Sequence, residues 1–225
     1  AFVEGALKNM TQVLKYYKRR GKPLEDKLAH IESLAAGIPD CRSNEELMAL
    51  EGNMRLVYYS AFDTIVEDPA FTFEARSRRP PRNYMNTLIS FGNAVVYTAV
   101  LSEVYKTHLD PRIGYLHATN FRRFTLNLDL SEVFKPIIVD RTIFTVVDRK
   151  QVTPESFEVA SEGVMLNEAG KKAFVAELDK KLGTTFSSRQ LGRNISYRHA
   201  IRLELYKLEK HFMGEKAYEP FVARW

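Results

Sequence analysis

Residues 87–101, TLISFGNAVVYTAVL, form the longest apolar run of the chain, and the rest of the fold has to accommodate it. Crossing a bilayer takes about 20 consecutive apolar residues. This run is shorter, contains Asn93 and passes directly into Ser102 and Glu103. It predicts a buried core helix, roughly residues 84–108, with the other segments packed around it.

Those segments also read as helices. Leu7, Met10, Leu14 and Tyr17 recur at helical spacing, while Lys8, Lys15, Lys18 and Arg19 occupy the opposite face. Gly21 and Pro23 end this helix, and a second starts near Pro23-Leu24-Glu25. After the break at Gly37-Ile38-Pro39-Asp40, Ser43 or Asn44 caps a helix expected to reach Val66, with Glu45 and Glu46 suiting its N-terminus. Residues 67–83 are irregular. A helix from Thr125 to about Val147 is expected to kink at Pro136. Residues 157–166 predict a small hairpin turning at Ser161-Glu162-Gly163, followed by helices over 167–182 and 195–212. The expected class is mainly α: a single helical domain, residues 1–225, with a minor β-hairpin.

The net charge of +5 favours a polyanionic partner. Cys41 is the only cysteine, which excludes an intramolecular disulfide and a thiolate zinc site and suits a reducing, cytoplasmic setting. No membrane association is expected. The start, Ala1-Phe2-Val3-Glu4, carries no signal-peptide pattern and no initiator Met, as expected of a processed or truncated piece.

Three acids sit where apolar patterning predicts core, and a histidine follows a turn near two of them in sequence. Glu51 shares its helix face with Leu47, Met48, Met54 and Arg55, so it needs a metal, a cation or a raised pKa. An ion pair with Arg55, four residues on, is an equal alternative. Asp129 and Glu132 lie three apart among Leu126, Leu128, Leu130, Val133 and Phe134. On a helix they point about 60° apart and can approach one ion together. A solvated edge, or pairing with Arg122 and Arg123, is the alternative. His117 follows a turn at residues 110–114 and is either a ligand or a hydrogen-bonded structural residue. Carboxylate and imidazole donors without thiolates suit Mn²⁺ or Mg²⁺. No G-x-x-x-x-G-K-[ST], G-x-S-x-G or H-E-x-x-H motif occurs.

Three blocks carry a family resemblance. They are LMALEGNMRLVYY (47–59), RSRRPPRNYMNTLISFGNAV (76–95) and GYLHATNFRRFTLNLDLSEVFKP (114–136), followed by the ending YEPFVARW. In this order they resemble the CRISPR-associated integrase family, the first of the two proteins universal to spacer acquisition. The resemblance implies that Glu51, His117 and Glu132 are metal ligands. It places Asp129 at the neighbouring acidic position that helps hold the metal or the attacking group. It further implies a DNA endonuclease and integrase, a homodimer, and a partner in the small ferredoxin-like second adaptation protein. Asn83, Asn93 and Lys135 depart from the family's usual Asp, Tyr and Arg. The family's N-terminal β-rich domain is expected to be lacking here.

The chemistry implied is transesterification at a phosphodiester, with His117 neutral in order to ligate. Phosphate contacts are expected from Arg76, Arg78, Arg79 and Arg82, a run without an intervening acid, and from Arg198 and Arg202, four apart on the last helix. A solvated basic loop is the plain alternative for the first four. For the whole chain the alternative is a non-catalytic DNA-binding helical module.

Overall fold

The structure is a computed structural model that describes residues 1–117, 124–188 and 191–224. Its elements run α1 (Phe2–Lys18), α2 (Glu25–Ala35), α3 (Asn44–Tyr59), α4 (Phe62–Val66), α5 (Tyr84–Val104), α6 (Leu126–Lys135), a π-helical turn (Pro136–Asp140), α7 (Arg141–Asp148), the strands β1 (Phe157–Ala160) and β2 (Gly163–Leu166), α8 (Glu168–Gly183), the strands β3 (Thr185–Ser188) and β4 (Arg193–Ser196), and α9 (Tyr197–Phe212). The mainly α class expected from the sequence is what the structure has.

The centre of the fold is α6, whose ten residues are all buried. A helix buried all round packs on several neighbours. Here α1 and α5 are the principal ones. Leu126, Leu130, Val133 and Phe134 are at most 1% exposed, each worth about 1.5–3 kcal/mol of burial. Asn9 of α1 locks the arrangement. Its Nδ2 donates to the carbonyls of Val133 and Phe221 at 2.8 and 2.9 Å, and its Oδ1 accepts from the Ala223 amide at 2.8 Å.

The apolar run lies within α5, which at 21 residues is long and apolar enough to cross a membrane by length and composition. It packs instead on α6, α9 and β2. Glu103, near its end, is 0% exposed and pairs with Arg202 of α9 and with Lys106. A Cβ at Gly92 would stand 2.5 Å from Val139 Cγ1 and 3.0 Å from Phe174 Cζ, so only glycine lets α5 approach the π-helical turn and α8 this closely. The helix ends at Val104, four residues before the expected 108.

Pro136 does more than kink a helix. It cannot donate to the carbonyl four residues back, and the chain widens there into the five-residue π-helical turn before α7 resumes. The helix expected to reach Val66 breaks at Ser60 and Ala61. That break lets Tyr58, Tyr59 and Phe62 meet edge to face beside Phe144. Ser43 is the cap, its hydroxyl accepting from the Glu46 amide at 3.1 Å. The hairpin of β1 and β2 has the expected position, with Ala160 opposite Gly163.

The pair β3 and β4 was not expected, and Ile195 belongs to β4 instead of opening the last helix. TFSS and RNIS are short and polar, with only Phe186 and Ile195 turned towards the core, too little for a period-2 signal.

Candidate metal centre

Glu51 and Arg55, one turn apart on α3, face Glu132 and Lys135, one turn apart on α6. All four side chains are at most 9% exposed. Arg55 Nε donates to Glu51 Oε1 at 2.7 Å, and its Nη2 donates to Glu132 Oε2. Lys135 donates to the other oxygen of Glu132. The ion pair offered as the plain reading of Glu51 therefore exists, and it is one arm of a larger network.

Burial works against the Glu132 charge, but the Arg55 and Lys135 cations more than offset it and hold the carboxyl down at about 2. Burial also opposes the Arg55 charge. The Glu132 and Glu51 carboxylates reverse that and hold its pKa well above the usual guanidinium value.

Asp129, one turn before Glu132 on α6, has its own partners. Its Oδ2 accepts from the amides of Tyr115 and Leu116 at 2.5 and 3.0 Å. Its Oδ1 accepts from the His117 amide at 3.0 Å and lies 2.6 Å from His117 Nδ1. Asp129 and Glu132 have separate hydrogen-bond partners among the described residues, while His117, bonded to Asp129, also acts on the charge of Glu132. Backbone amides hold the first, and Arg55 and Lys135 hold the second. Gly114 lets the loop sit this close: a Cβ there would fall 2.6 Å from Thr125 Oγ1 and 3.0 Å from Asp129 Oδ2. With Nδ1 taken by Asp129, Nε2 is the nitrogen left for a ligand, and His117 is near enough to Glu132 to act on its charge. The suggested pairing of these acids with Arg122 and Arg123 lies outside the described residues.

Two carboxylates and an imidazole whose second nitrogen is fixed suit Mn²⁺ or Mg²⁺ in chemistry. The position between Glu51 and Glu132 already accommodates a cation, the guanidinium. Among the described residues no group of three or more His, Cys, Asp or Glu is gathered closely enough to hold a metal, since Arg55 stands between the two glutamates. The donor set fits, provided the guanidinium moves.

Sequence reasoning did not single out Asp140, the last residue of the π-helical turn. It is 0% exposed, and neither carboxyl oxygen has a hydrogen-bond partner among the described residues. Burial pushes it up to about 7, against the opposing pull of Arg55, the Tyr58 hydroxyl and Lys135. Tyr58 comes near enough to act on this pKa, although its hydroxyl is outside hydrogen-bond geometry. The available signal was an acid closing the apolar run PIIVD.

The six arginines expected to contact phosphate divide. Arg76 turns inward and donates to Asn86 Oδ1 at 2.8 Å and Ser90 Oγ at 3.1 Å. Arg202 donates to buried Glu103 at 2.7 Å, and Arg198 pairs with Asp179 at 2.6 Å. Arg78, Arg79 and Arg82 are exposed and make no ion pair among the described residues.

Residues 1–180 match the family profile described as CRISPR associated protein Cas1. The chain belongs to the Cas1 family. A Cas1 relative described as a CRISPR-associated endonuclease, from Thermodesulfovibrio yellowstonii, is 54% identical over 224 residues, covering 100% of this chain and 68% of that protein. The solved Cas1 protein of Thermotoga maritima superposes with a TM-score of 0.86 at 44% identity, covering 96% of this chain and 66% of that one. The chain therefore corresponds to about two thirds of the length of these Cas1 proteins. A casposase bound to its integration product shares the fold, with a TM-score of 0.83 at 20% identity over 98% of this chain and 64% of that one.

Proposed function

We propose that this Cas1 chain is a metal-dependent DNA endonuclease and integrase of CRISPR adaptation. It joins the 3′-OH ends of spacer DNA into a CRISPR array by transesterification. The observation that carries the proposal is the buried pair Glu51 and Glu132, clasping a cation beside an imidazole that Asp129 orients.

In this reading Glu51, Glu132 and His117 Nε2 are the ligands, and Asp129 fixes the ring so that Nε2 faces the site. A divalent ion, Mn²⁺ or Mg²⁺, supplies charge stabilisation at the scissile phosphate and the departing 3′-oxygen. Lys135 holds one Glu132 oxygen and keeps that carboxylate ionised. In strand transfer a spacer 3′-oxygen forms the new bond to phosphorus as the bond to the target's 3′-oxygen breaks. In hydrolysis water attacks instead.

Arg78, Arg79 and Arg82 supply sequence-independent phosphate contacts, with Arg198 at the margin. A homodimer and the small ferredoxin-like second adaptation protein complete the proposed assembly.

The test is cleavage of linear and branched DNA with Mn²⁺, with Mg²⁺ and with EDTA. Cleavage that needs the metal supports the proposal. The second reading, a non-catalytic DNA-binding module, is favoured by Arg55 standing in the site; it predicts equal DNA binding with and without metal, and no product.

A further inference from the structure

The network around Arg55 is not closed. Nε and Nη2 are bound by Glu51 and Glu132, but Nη1 is buried with no hydrogen-bond partner among the described residues. The same holds for both oxygens of Asp140 and for the Tyr58 hydroxyl. A buried guanidinium nitrogen and a buried carboxyl group without partners are each costly, and here a donor and an acceptor go unsatisfied in one polar nest. The charged and titratable groups acting on Asp140 are Arg55, Tyr58 and Tyr59 from α3, Glu132 and Lys135 from α6, and Arg76 from the segment before α5.

We propose that Asp140 is a second seat for the Arg55 guanidinium, taken when a divalent cation enters between Glu51 and Glu132. This rests on the reading of Glu51, His117 and Glu132 as metal ligands. In the arrangement described, the guanidinium supplies the positive charge the two glutamates need. A metal would replace that charge, and two like charges cannot share the space. The guanidinium then needs an acceptor inside the protein, and Asp140 is a buried carboxyl that no donor occupies among the described residues. Any proton Asp140 carries leaves to solvent as it becomes the anionic partner. Asp140 and Arg55 are positioning residues here: neither is assigned contact with the DNA.

The test is Mn²⁺ binding by calorimetry in buffers of different ionisation enthalpy, which gives affinity and protons released together. Wild type, Asp140→Asn, Arg55→Gln, the double variant and His117→Ala are compared, each checked for folding by thermal unfolding in EDTA. We expect Asp140→Asn to weaken Mn²⁺ binding about tenfold or more and to release fewer protons. In the Arg55→Gln background the same substitution is expected to change the affinity little. An equal loss in both backgrounds, or no loss in either, overturns the proposal. If Arg55→Gln does not fold, Asp140→Glu decides: it keeps the carboxylate and is expected to retain most of the affinity, and a loss equal to that of Asp140→Asn overturns the proposal. Binding that depends on His117 but not on Asp140 sinks only the second seat. Binding indifferent to His117 sinks the metal centre as well.

Discussion

His117 Nδ1 lies 2.6 Å from Asp129 Oδ1, and the same oxygen accepts the His117 amide at 3.0 Å. One carboxylate therefore fixes the backbone and the ring of the proposed ligand together. The Tyr115 and Leu116 amides occupy its other oxygen. The 114–117 loop has its position from α6, the helix that also bears Glu132.

Asp129→Asn exchanges an acceptor for a donor facing these N–H groups. Stability should fall by about 2 kcal/mol, and Mn²⁺ affinity should drop about 10–100-fold. Urea unfolding and a metal titration measure the two effects. An unchanged affinity would remove Asp129 from the positioning role.

Arg55→Met leaves the Glu51 and Glu132 carboxylates buried without their shared cation. Breaking a buried pair in this way costs about 3–5 kcal/mol. Mn²⁺ should recover part of that loss and stabilise the variant more than wild type, because a ligand that binds the folded state raises its stability. Urea unfolding with and without Mn²⁺ tests this. Equal stabilisation of both proteins would mean that metal and guanidinium do not compete.

The fold was legible where a cap or an apolar stripe stood clear, as at Ser43 and along α1, but not at the start of α9, whose cap Ser196 closes the short polar strand β4. The kink at Pro136 was legible as a kink but not as a π-helical turn, because a missing N–H does not specify how the neighbouring carbonyls are re-satisfied. At the site, patterning flagged Glu51, Asp129 and Glu132 as acids in apolar surroundings. It could not say that Asp129 serves a loop while Glu132 serves α3, since both are equally out of place by periodicity. Arg55 was legible as the partner of Glu51 through i,i+4 spacing. Its bond to Glu132, 77 residues away, is tertiary. Arg76 and Arg202 show the same limit: a charge run does not reveal which members turn inward.

Asp140 should make stability depend on pH in a definite direction. Its folded pKa is raised from 3.8 to about 7, so the folded state holds the proton more tightly than the unfolded state. The resulting stability is complete below pH about 4 and is lost as pH rises through about 7, a difference of about 4 kcal/mol at most. Asp140→Asn lacks this loss and should gain on wild type between pH 5 and pH 8. Parallel stability profiles for the two proteins would contradict it.

Replacing Arg78, Arg79 and Arg82 by Gln should weaken DNA binding uniformly across sequences. The slope of log affinity against log salt should become shallower by about 0.9 for each phosphate that the variant no longer neutralises. Arg76→Gln should instead lower the melting temperature, because its guanidinium anchors the loop to Asn86 and Ser90. Fluorescence anisotropy across a salt series, alongside thermal unfolding, separates the two behaviours.

The most direct test of the central claim is strand transfer and cleavage on a branched DNA substrate with Mn²⁺, comparing wild type with His117→Ala at matched stability. The account predicts product from wild type that EDTA abolishes, and none from His117→Ala although DNA is still bound. Metal-dependent product from His117→Ala at the wild-type rate would contradict the assignment of the metal centre.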